Sequence, residues 1–324
     1  MPHAIRVHAH GGPDVLKWED VAKPEPGERE ALIRHTAVGL NYIDTYFRTG
    51  AYPPAALPFT PGNEAAGVVE ALGAGASGLS VGDRVAYVGP PGAYAEYRCM
   101  RAVRLVKIPD GISDETAAAM MLKGMTAQYL LRRTFPVGPG HTILFHAAAG
   151  GVGLIACQWA AKLGATVIGT VGGPEKAQLA QAHGAHHTID YRQENFVERV
   201  RQITGGAGVD VVYDSVGKDT FPTSLDCLKP LGMWVTFGMS SGPVPDFNLG
   251  LLAQKGSLFV TRPTLFTYIA SDEDLQATAK DLFDVVLDGS VKIEINQTYA
   301  LKDAKTAHED LEGRRTTGAT VLTV

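Results

Sequence analysis

Between Ala147 and Gly153 the chain reads Ala-Ala-Ala-Gly-Gly-Val-Gly, directly after the apolar run His141-Thr-Ile-Leu-Phe-His146 and before a stretch of helical period. A pyrophosphate needs such a junction. The backbone must turn tightly, approach the anion with no Cβ in the way, and present the free N–H groups of a helix N-terminus. Set against G-x-G-x-x-G, the segment reads Ala148-x-Gly150-x-x-Gly153. Gly150 and Gly151 suit close approach and Gly153 suits helix–strand packing; the candidate cofactor-binding set is Gly150, Gly151, Val152 and Gly153. A glycine motif alone is weak evidence, and the competing reading is an ordinary glycine-rich loop. Its place between a strand and a helix, at the head of a run of βα units, favours dinucleotide binding.

The next strand addresses which dinucleotide. About twenty residues past the motif, an Asp or Glu would bond the 2′-hydroxyl of an unphosphorylated ribose. Here the sequence is Thr170-Val-Gly-Gly-Pro-Glu-Lys176, with no acid at the strand end and Glu175 only in the following turn. Gly172 leaves room at that end, Lys176 brings positive charge, and Tyr191-Arg192 closes the next strand beside it. A cation in place of an acid favours a 2′-phosphate, hence NADPH. Contacts to a charged group are worth roughly 1.5–3 kcal/mol each, less when exposed. One or two of them give about 10- to 1000-fold preference. The bland alternative for Lys176 and for Arg192 is a solvated surface cation.

Other chemistries find less support. Cys99, Cys157 and Cys227 are far apart with no C-x-x-C pair, so a disulfide framework and a structural zinc site are both disfavoured, in keeping with a reducing cytoplasm. The ten histidines show no H-E-x-x-H spacing, and His186-His187 reads as a strand edge rather than a metal site. Lys plus Arg is 29 against 34 Asp plus Glu, a net charge of −5, which argues against an electrostatic nucleic-acid binder. The start, Met1-Pro-His-Ala-Ile-Arg6, lacks the apolar run of a signal peptide. The longest uncharged stretch, Thr134 to Ala161, holds five glycines and two prolines, which disfavours a membrane span.

The elements that position these residues follow from texture. A chain of 324 residues suggests two domains at roughly 150 residues each. The first 120 residues read as short strands between Gly/Pro turns, with candidates at Ala31–Val38, Ala65–Val69, Arg84–Val88 and Ala93–Tyr97. That spacing predicts a mainly antiparallel, barrel-like β domain. Helical texture runs from about Ile112 to Leu131. Strands and helices then alternate: strand His141–His146, helix Gly151–Leu163, strand Thr166–Thr170, helix Pro174–His183, strand His187–Asp190, helix Glu194–Ile203 and strand Val209–Tyr213. A helix near Thr220–Leu228 and strands Met233–Phe237 and Ser257–Thr261 complete the run. Such alternation predicts a doubly wound parallel sheet of Rossmann type. The tail, with helices at Asp272–Leu287 and Asp303–Glu312 and short strands near Lys292–Ile295 and Ala319–Leu322, reads as a return to the first domain.

The chain resembles, nearly end to end, the zinc-free medium-chain dehydrogenases/reductases, specifically the NADPH:quinone oxidoreductases related to zeta-crystallin. The resemblance is carried by His10-Gly-Gly-Pro-Asp-Val-Leu16, Gly39-Leu-Asn-Tyr-Ile-Asp-Thr-Tyr46, Pro61-Gly-Asn-Glu-Ala-Ala-Gly67, Val81-Gly-Asp-Arg-Val85, His146–Gly153, Tyr213-Asp-Ser-Val-Gly217 and Val260-Thr-Arg-Pro263. It implies a GroES-like catalytic domain over 1–124 and 265–324 and a Rossmann domain over 125–264. In the alcohol dehydrogenases of the superfamily, zinc is held by a Cys, by a His in Gly-His-Glu, and by a further Cys or acid. The matching positions here are Asn41 and Asn63, and no Cys or acid lies between Met120 and Thr126. Asn is a poor zinc ligand, so no metal is expected. Alcohol oxidation needs help in stabilising an alkoxide, whereas a quinone or enone accepts hydride with hydrogen bonds alone. The ligand replacements therefore point to quinones or activated alkenes.

By resemblance, Asn41, Asp44, Tyr46, Tyr52 and Arg262 surround the nicotinamide end, with Asn41, Tyr46, Tyr52 and Arg262 as catalytic candidates. Tyr46 or Tyr52 would donate a hydrogen bond or proton to the acceptor oxygen, and Asn41 would orient the carboxamide or the acceptor. Lys123 and Thr126 match a segment near the nicotinamide ribose. Ser215, Val216, Phe237, Gly238 and Ser240 follow parallel strands at the ends where dinucleotides lie, which supports them independently of the resemblance. Each has a packing role as its alternative. The expected activity is NADPH-dependent quinone reduction by hydride or electron transfer, with alkenal or enone reduction as a sister reading. From another class comes an NADPH-binding structural or RNA-associated protein. The resemblance also implies a homodimer, and the apolar edge strand Ser257–Thr261 would suit edge-to-edge pairing.

Overall fold

The computed structural model describes residues 1–324 and divides into two units: Met1–Met125 with Ile269–Leu287 and Ile293–Val324, and Thr126–Tyr268 with Asp288–Lys292.

In the first unit, the eleven-residue strand Glu30–Leu40 organises a seven-stranded sheet. One edge pairs antiparallel with Glu64–Leu72, which continues to Arg84–Val88 and Val106–Lys107. The other edge is shared: its first half pairs with Tyr97–Arg101 and its second half with Ala319–Thr323, which pairs in turn with Ile295–Ala300. The last pairing is parallel and the rest are antiparallel. The strand order runs from one edge to the other without closing, so the barrel expected from strand spacing is not sealed by a ladder. A separate hairpin, His3–Arg6 with Lys17–Asp20, had no signal above background in the sequence. Ile5, Val7, Ile33, Val38, Tyr87, Tyr94 and Leu322 form the core.

The expected strand Ala93–Tyr97 is displaced. The ladder starts at Tyr97, and Ala93–Ala95 form a buried turn whose amides bond Gly62 O, Pro61 O and Ala93 O. Apolar residues in alternation look the same whether their partners are a ladder or a neighbouring turn. The helix Asp114–Tyr129 is apolar all round, with Ala117–Met121 fully buried, so composition rather than period revealed it.

The second unit is a six-stranded parallel sheet. Numbered along this unit, Thr142–Phe145, Thr166–Val171, His187–Asp190, Val209–Asp214, Leu228–Thr236 and Phe259–Thr261 lie in the order 3-2-1-4-5-6. That order reverses between the first and fourth strands, where parallel sheets of this kind hold dinucleotides. The helix expected near Thr220–Leu228 is only a short 3-10 segment, Thr223–Cys227. The strand expected near Lys292–Ile295 begins only at Ile295.

Candidate cofactor and acceptor sites

In the second unit, the strand Thr142–Phe145 ends at the order reversal and the glycine turn follows at once. His146 N donates to Tyr213 O at 3.0 Å and Ala148 N to Thr170 O at 3.0 Å, anchoring the turn to both neighbouring strands. Gly150 is the N-cap of helix Gly151–Lys162, and no side chain caps it, so the first-turn N–H groups are left for a ligand. A Cβ on Gly153 would lie 2.5 Å from Ala147 O and 2.6 Å from Ala148 O. Gly153 is thus required by the turn's own carbonyls rather than by strand packing.

At the end of Thr166–Val171, a Cβ on Gly172 would lie 2.7 Å from Tyr191 Oη and 3.3 Å from Arg192 Nε. Tyr191 and Arg192 therefore close around Gly172, and Lys176 stands in the first turn of helix Pro174–Ala182. Asp190, the nearest acid on the next strand, turns back to accept Arg192 N–H at 3.1 Å.

The loop after Val209–Asp214 is held by Asp214, which is fully buried. Its Oδ1 accepts Val216 N–H at 2.8 Å and Gly217 N–H at 3.1 Å, and its Oδ2 accepts Thr220 Oγ1–H at 2.7 Å and Trp234 Nε1–H at 3.2 Å. Ser240 N donates to Ser215 O at 3.1 Å and Phe237 N to Asp214 O at 2.8 Å, which joins the two loops carrying the candidates. Arg262 Nη1 donates to Thr236 O at 3.0 Å and Gly238 O at 3.3 Å; together with Phe247 and Val260 these residues line a depression of about 610 Å³. His146, buried beneath the turn, contacts Thr170 Oγ1 and Ser224 Oγ, both at 2.9 Å, and burial pushes its imidazole below the ordinary histidine range. Neither Asp214 nor His146 was a candidate from sequence; the His146 partners lie 24 and 78 positions away.

In the first unit, Asn41 is the N-cap of helix Tyr42–Thr49. Asp44 Oδ2 accepts the Asn41 backbone N–H at 2.9 Å, the reach-back half of a capping box. Asn41 Nδ2 donates to Glu64 Oε1 at 2.6 Å, and Lys123 Nζ donates to the same oxygen at 2.7 Å. Leu122 N donates to Glu64 Oε2 at 2.6 Å. Glu64, fully buried, is therefore the hub that gathers Asn41 and Lys123, and residue type alone did not single it out. Tyr46 and Tyr52 are half-buried, with ring centroids 5.2 Å apart in an edge-on pair, and Tyr52 N donates to Tyr46 O at 3.0 Å. Thr126 is buried on the second unit, three residues after Lys123.

Asp44 is fully enclosed, and burial raises its carboxyl to about 7, with Glu64 adding to the rise and the Asn41 and Tyr94 hydrogen bonds and the Lys123 charge opposing it. The folded chain holds this proton more tightly than the unfolded one. The resulting stabilisation is complete below the ordinary carboxylate pKa of about 4 and is lost as pH rises through about 7. Asp44→Asn should therefore be more thermostable than the parent near pH 8.5, by up to about 4 kcal/mol, and level with it near pH 4. Thermal melts of both proteins across that range check this; a difference that does not vary with pH counts against it.

A GroES-like unit and a 3-2-1-4-5-6 nucleotide sheet in one chain together define a medium-chain dehydrogenase/reductase. Residues 27–110 match the alcohol dehydrogenase GroES-like domain and residues 151–284 the zinc-binding dehydrogenase domain. The chain is 56% identical over 323 residues to the quinone oxidoreductase of Pseudomonas aeruginosa, covering 99% of each. It is 46% identical to the 2-haloacrylate reductase of a Burkholderia species, covering 99% of each. The crystal structure of Escherichia coli quinone oxidoreductase complexed with NADPH superposes with a TM-score of 0.98 at 50% identity, over 99% of this chain and 100% of that one. The chain belongs to the quinone oxidoreductase family.

The matched domain's name raises zinc, and the donor set does not fit it. No three His, Cys, Asp or Glu side chains gather at one point. Glu64 already neutralises the Lys123 ammonium, and Asn41 turns an amide N–H, not a lone pair, toward it.

Proposed function

We propose that this chain is an NADPH-dependent quinone reductase that works without a metal. The observation that carries the reading is the uncapped glycine turn at the sheet's order reversal, followed by Gly172 enclosed by Tyr191 and Arg192 with Lys176 close in sequence and no acid at the strand end.

NADPH, when bound, supplies the reducing equivalents. Gly150, Gly151, Val152 and Gly153 offer backbone N–H groups to its pyrophosphate, and Gly172, Lys176, Tyr191 and Arg192 take the 2′-phosphate. Ser215, Val216, Phe237, Gly238, Ser240 and Arg262 line the nicotinamide end on the second unit. The cofactor-binding assignment also takes in Asn41, Asp44, Tyr46, Lys123 and Thr126. The Tyr46 or the Tyr52 hydroxyl donates a hydrogen bond or a proton to the quinone oxygen. Asn41, held by Glu64, orients the acceptor or the carboxamide.

A second reading, reduction of an activated alkene, is favoured by the likeness to 2-haloacrylate reductase. Turnover of 1,4-benzoquinone, 9,10-phenanthrenequinone, an alkenal and 2-chloroacrylate with NADPH separates the two. Quinones should dominate in kcat/KM, and a dominant alkene overturns the order. RNA binding that NADPH displaces, in a filter assay, would favour a binding role instead.

The assigned assembly is a homodimer, joined at the exposed edge strand Phe259–Thr261, where Phe259 is 56% exposed. A 34.4 kDa species at micromolar concentration in sedimentation rejects this. The assigned compartment is the cytoplasm, consistent with three free cysteines; no helix is long and apolar enough to cross a membrane.

A further inference from the structure

The helix Tyr42–Thr49 has Asn41 at its start and, one residue before its end, an arginine that points inward. Arg48 is 1% exposed. Its Nε donates to Gly11 O at 3.0 Å, its Nη2 to the Glu312 carboxylate at 2.8 and 2.9 Å, and its Nη1 meets His308 Nδ1 at 2.8 Å. A guanidinium can only donate, so His308 Nδ1 must accept. Burial, with Arg48 adding to it, depresses His308 to about 3, so its imidazole is neutral and carries one proton, on Nε2. That N–H faces Tyr94 Oη at 3.1 Å. The Tyr94 hydroxyl hydrogen is then directed to Asp44 Oδ2 at 2.9 Å, the oxygen that also accepts the Asn41 N–H. Asp44 Oδ1 has no partner, so Tyr94 and Asn41 alone hold this carboxyl. One fixed donor at Arg48 thus sets the direction of every hydrogen bond as far as Asp44, whose Oδ2 also accepts the Asn41 N–H.

We propose that His308, on the C-terminal helix Ala304–Glu312, is a positioning residue for the reductase reaction, acting through Tyr94 and Asp44 to fix Asn41 against Glu64. A histidine that merely filled space would not need a donor on one side and an acceptor on the other. The chain of opposed requirements, Arg48 to His308 to Tyr94 to Asp44, fits a device that orients one terminus of a short helix. The inference deepens the quinone reductase reading and rests on it.

The test uses the full chain in steady-state turnover of NADPH with 9,10-phenanthrenequinone, for His308→Leu, His308→Gln, Tyr94→Phe and the double variant His308→Leu/Tyr94→Phe. His308→Leu and Tyr94→Phe should each lower kcat roughly tenfold or more while the KM for NADPH moves less than about threefold, because the orientation set by Asn41 is lost while the phosphate-binding residues of the other unit are untouched. The double variant should be no worse than the poorer single one, since both break one chain. Gln can accept from Arg48 and donate to Tyr94, so His308→Gln should recover to within about threefold of the parent. Losses that multiply in the double variant, unchanged kcat, or a Gln variant as poor as Leu overturn the proposal. If His308→Leu does not fold, Tyr94→Phe and His308→Gln decide alone.

A second readout is independent of turnover. Histidine ¹⁵N spectra of the labelled chain should show His308 as the Nε2–H tautomer, with no titration down to about pH 5. An Nδ1–H tautomer, or a titration near pH 6, overturns the assignment. A parent protein that shows this tautomer but no quinone turnover would reject the functional reading and leave the hydrogen-bond chain standing; its variants are then compared with 2-chloroacrylate as acceptor.

Discussion

Lys176→Ala should raise the KM for NADPH roughly tenfold and leave the KM for NADH almost unchanged, and Lys176→Ala/Arg192→Ala should reach about 100-fold, abolishing the preference. The reason lies in the strand end. Where an acid would bind a ribose hydroxyl, the Thr166–Val171 strand ends at Gly172, with the Tyr191 hydroxyl and the Arg192 guanidinium against it. Lys176 sits in the first helical turn, where the helix dipole adds to its charge. Arg192 is exposed and Lys176 half-buried, so each contact is worth the lower part of the usual charge-assisted range. Steady-state kinetics with both nucleotides read the effect. Equal rises for NADPH and NADH would show that these side chains serve the fold and not the phosphate.

Glu64→Gln should cost about 3–5 kcal/mol and lower the melting temperature by roughly 10 °C. The carboxylate is fully buried, yet it satisfies three donors: Asn41 Nδ2, Lys123 Nζ and Leu122 N. Removing its charge strands the Lys123 ammonium, which is itself 5% exposed. The matching double variant, Glu64→Gln/Lys123→Met, removes both charges and should recover most of the loss, because a buried pair contributes little net once both members are gone. Calorimetric melts check this. A double variant as unstable as Glu64→Gln would mean that the backbone contact to Leu122, not the ion pair, carries the cost.

The two variants bracket what each part of the chain announced in advance. Residues whose chemistry depends on near neighbours were legible. The strand–glycine–helix junction at Gly150–Gly153 and the absent acid after Val171 are local facts, because a tight turn and a strand end are built from consecutive residues. The order of strands and helices in the second unit was also readable, since right-handed crossovers leave few alternatives for alternating elements. The misplaced strand at Ala93–Tyr97 marks where that legibility ends. Its alternation of small apolar residues fits a ladder, yet Tyr94 and Ala93 bond back to Pro61 and Gly62 across a loop that no short-range rule supplies.

By itself the sequence determined the nucleotide-binding architecture, because a glycine turn between a strand and a helix is written in residue types at short spacing; the missing acid after Val171 is equally local, whereas Asn41 and Asn63 stand out only through the family resemblance. Only the tertiary structure decided that Glu64 gathers Asn41 and Lys123, that Trp234 reaches Asp214 from the next strand, and that Arg48 reaches His308 across 260 positions of chain. The physical reason is that a buried polar group must find partners wherever the fold brings them. Hydrogen bonds are specific to atoms a few ångströms apart, and sequence distance carries no record of which distant atoms the packed core will place there.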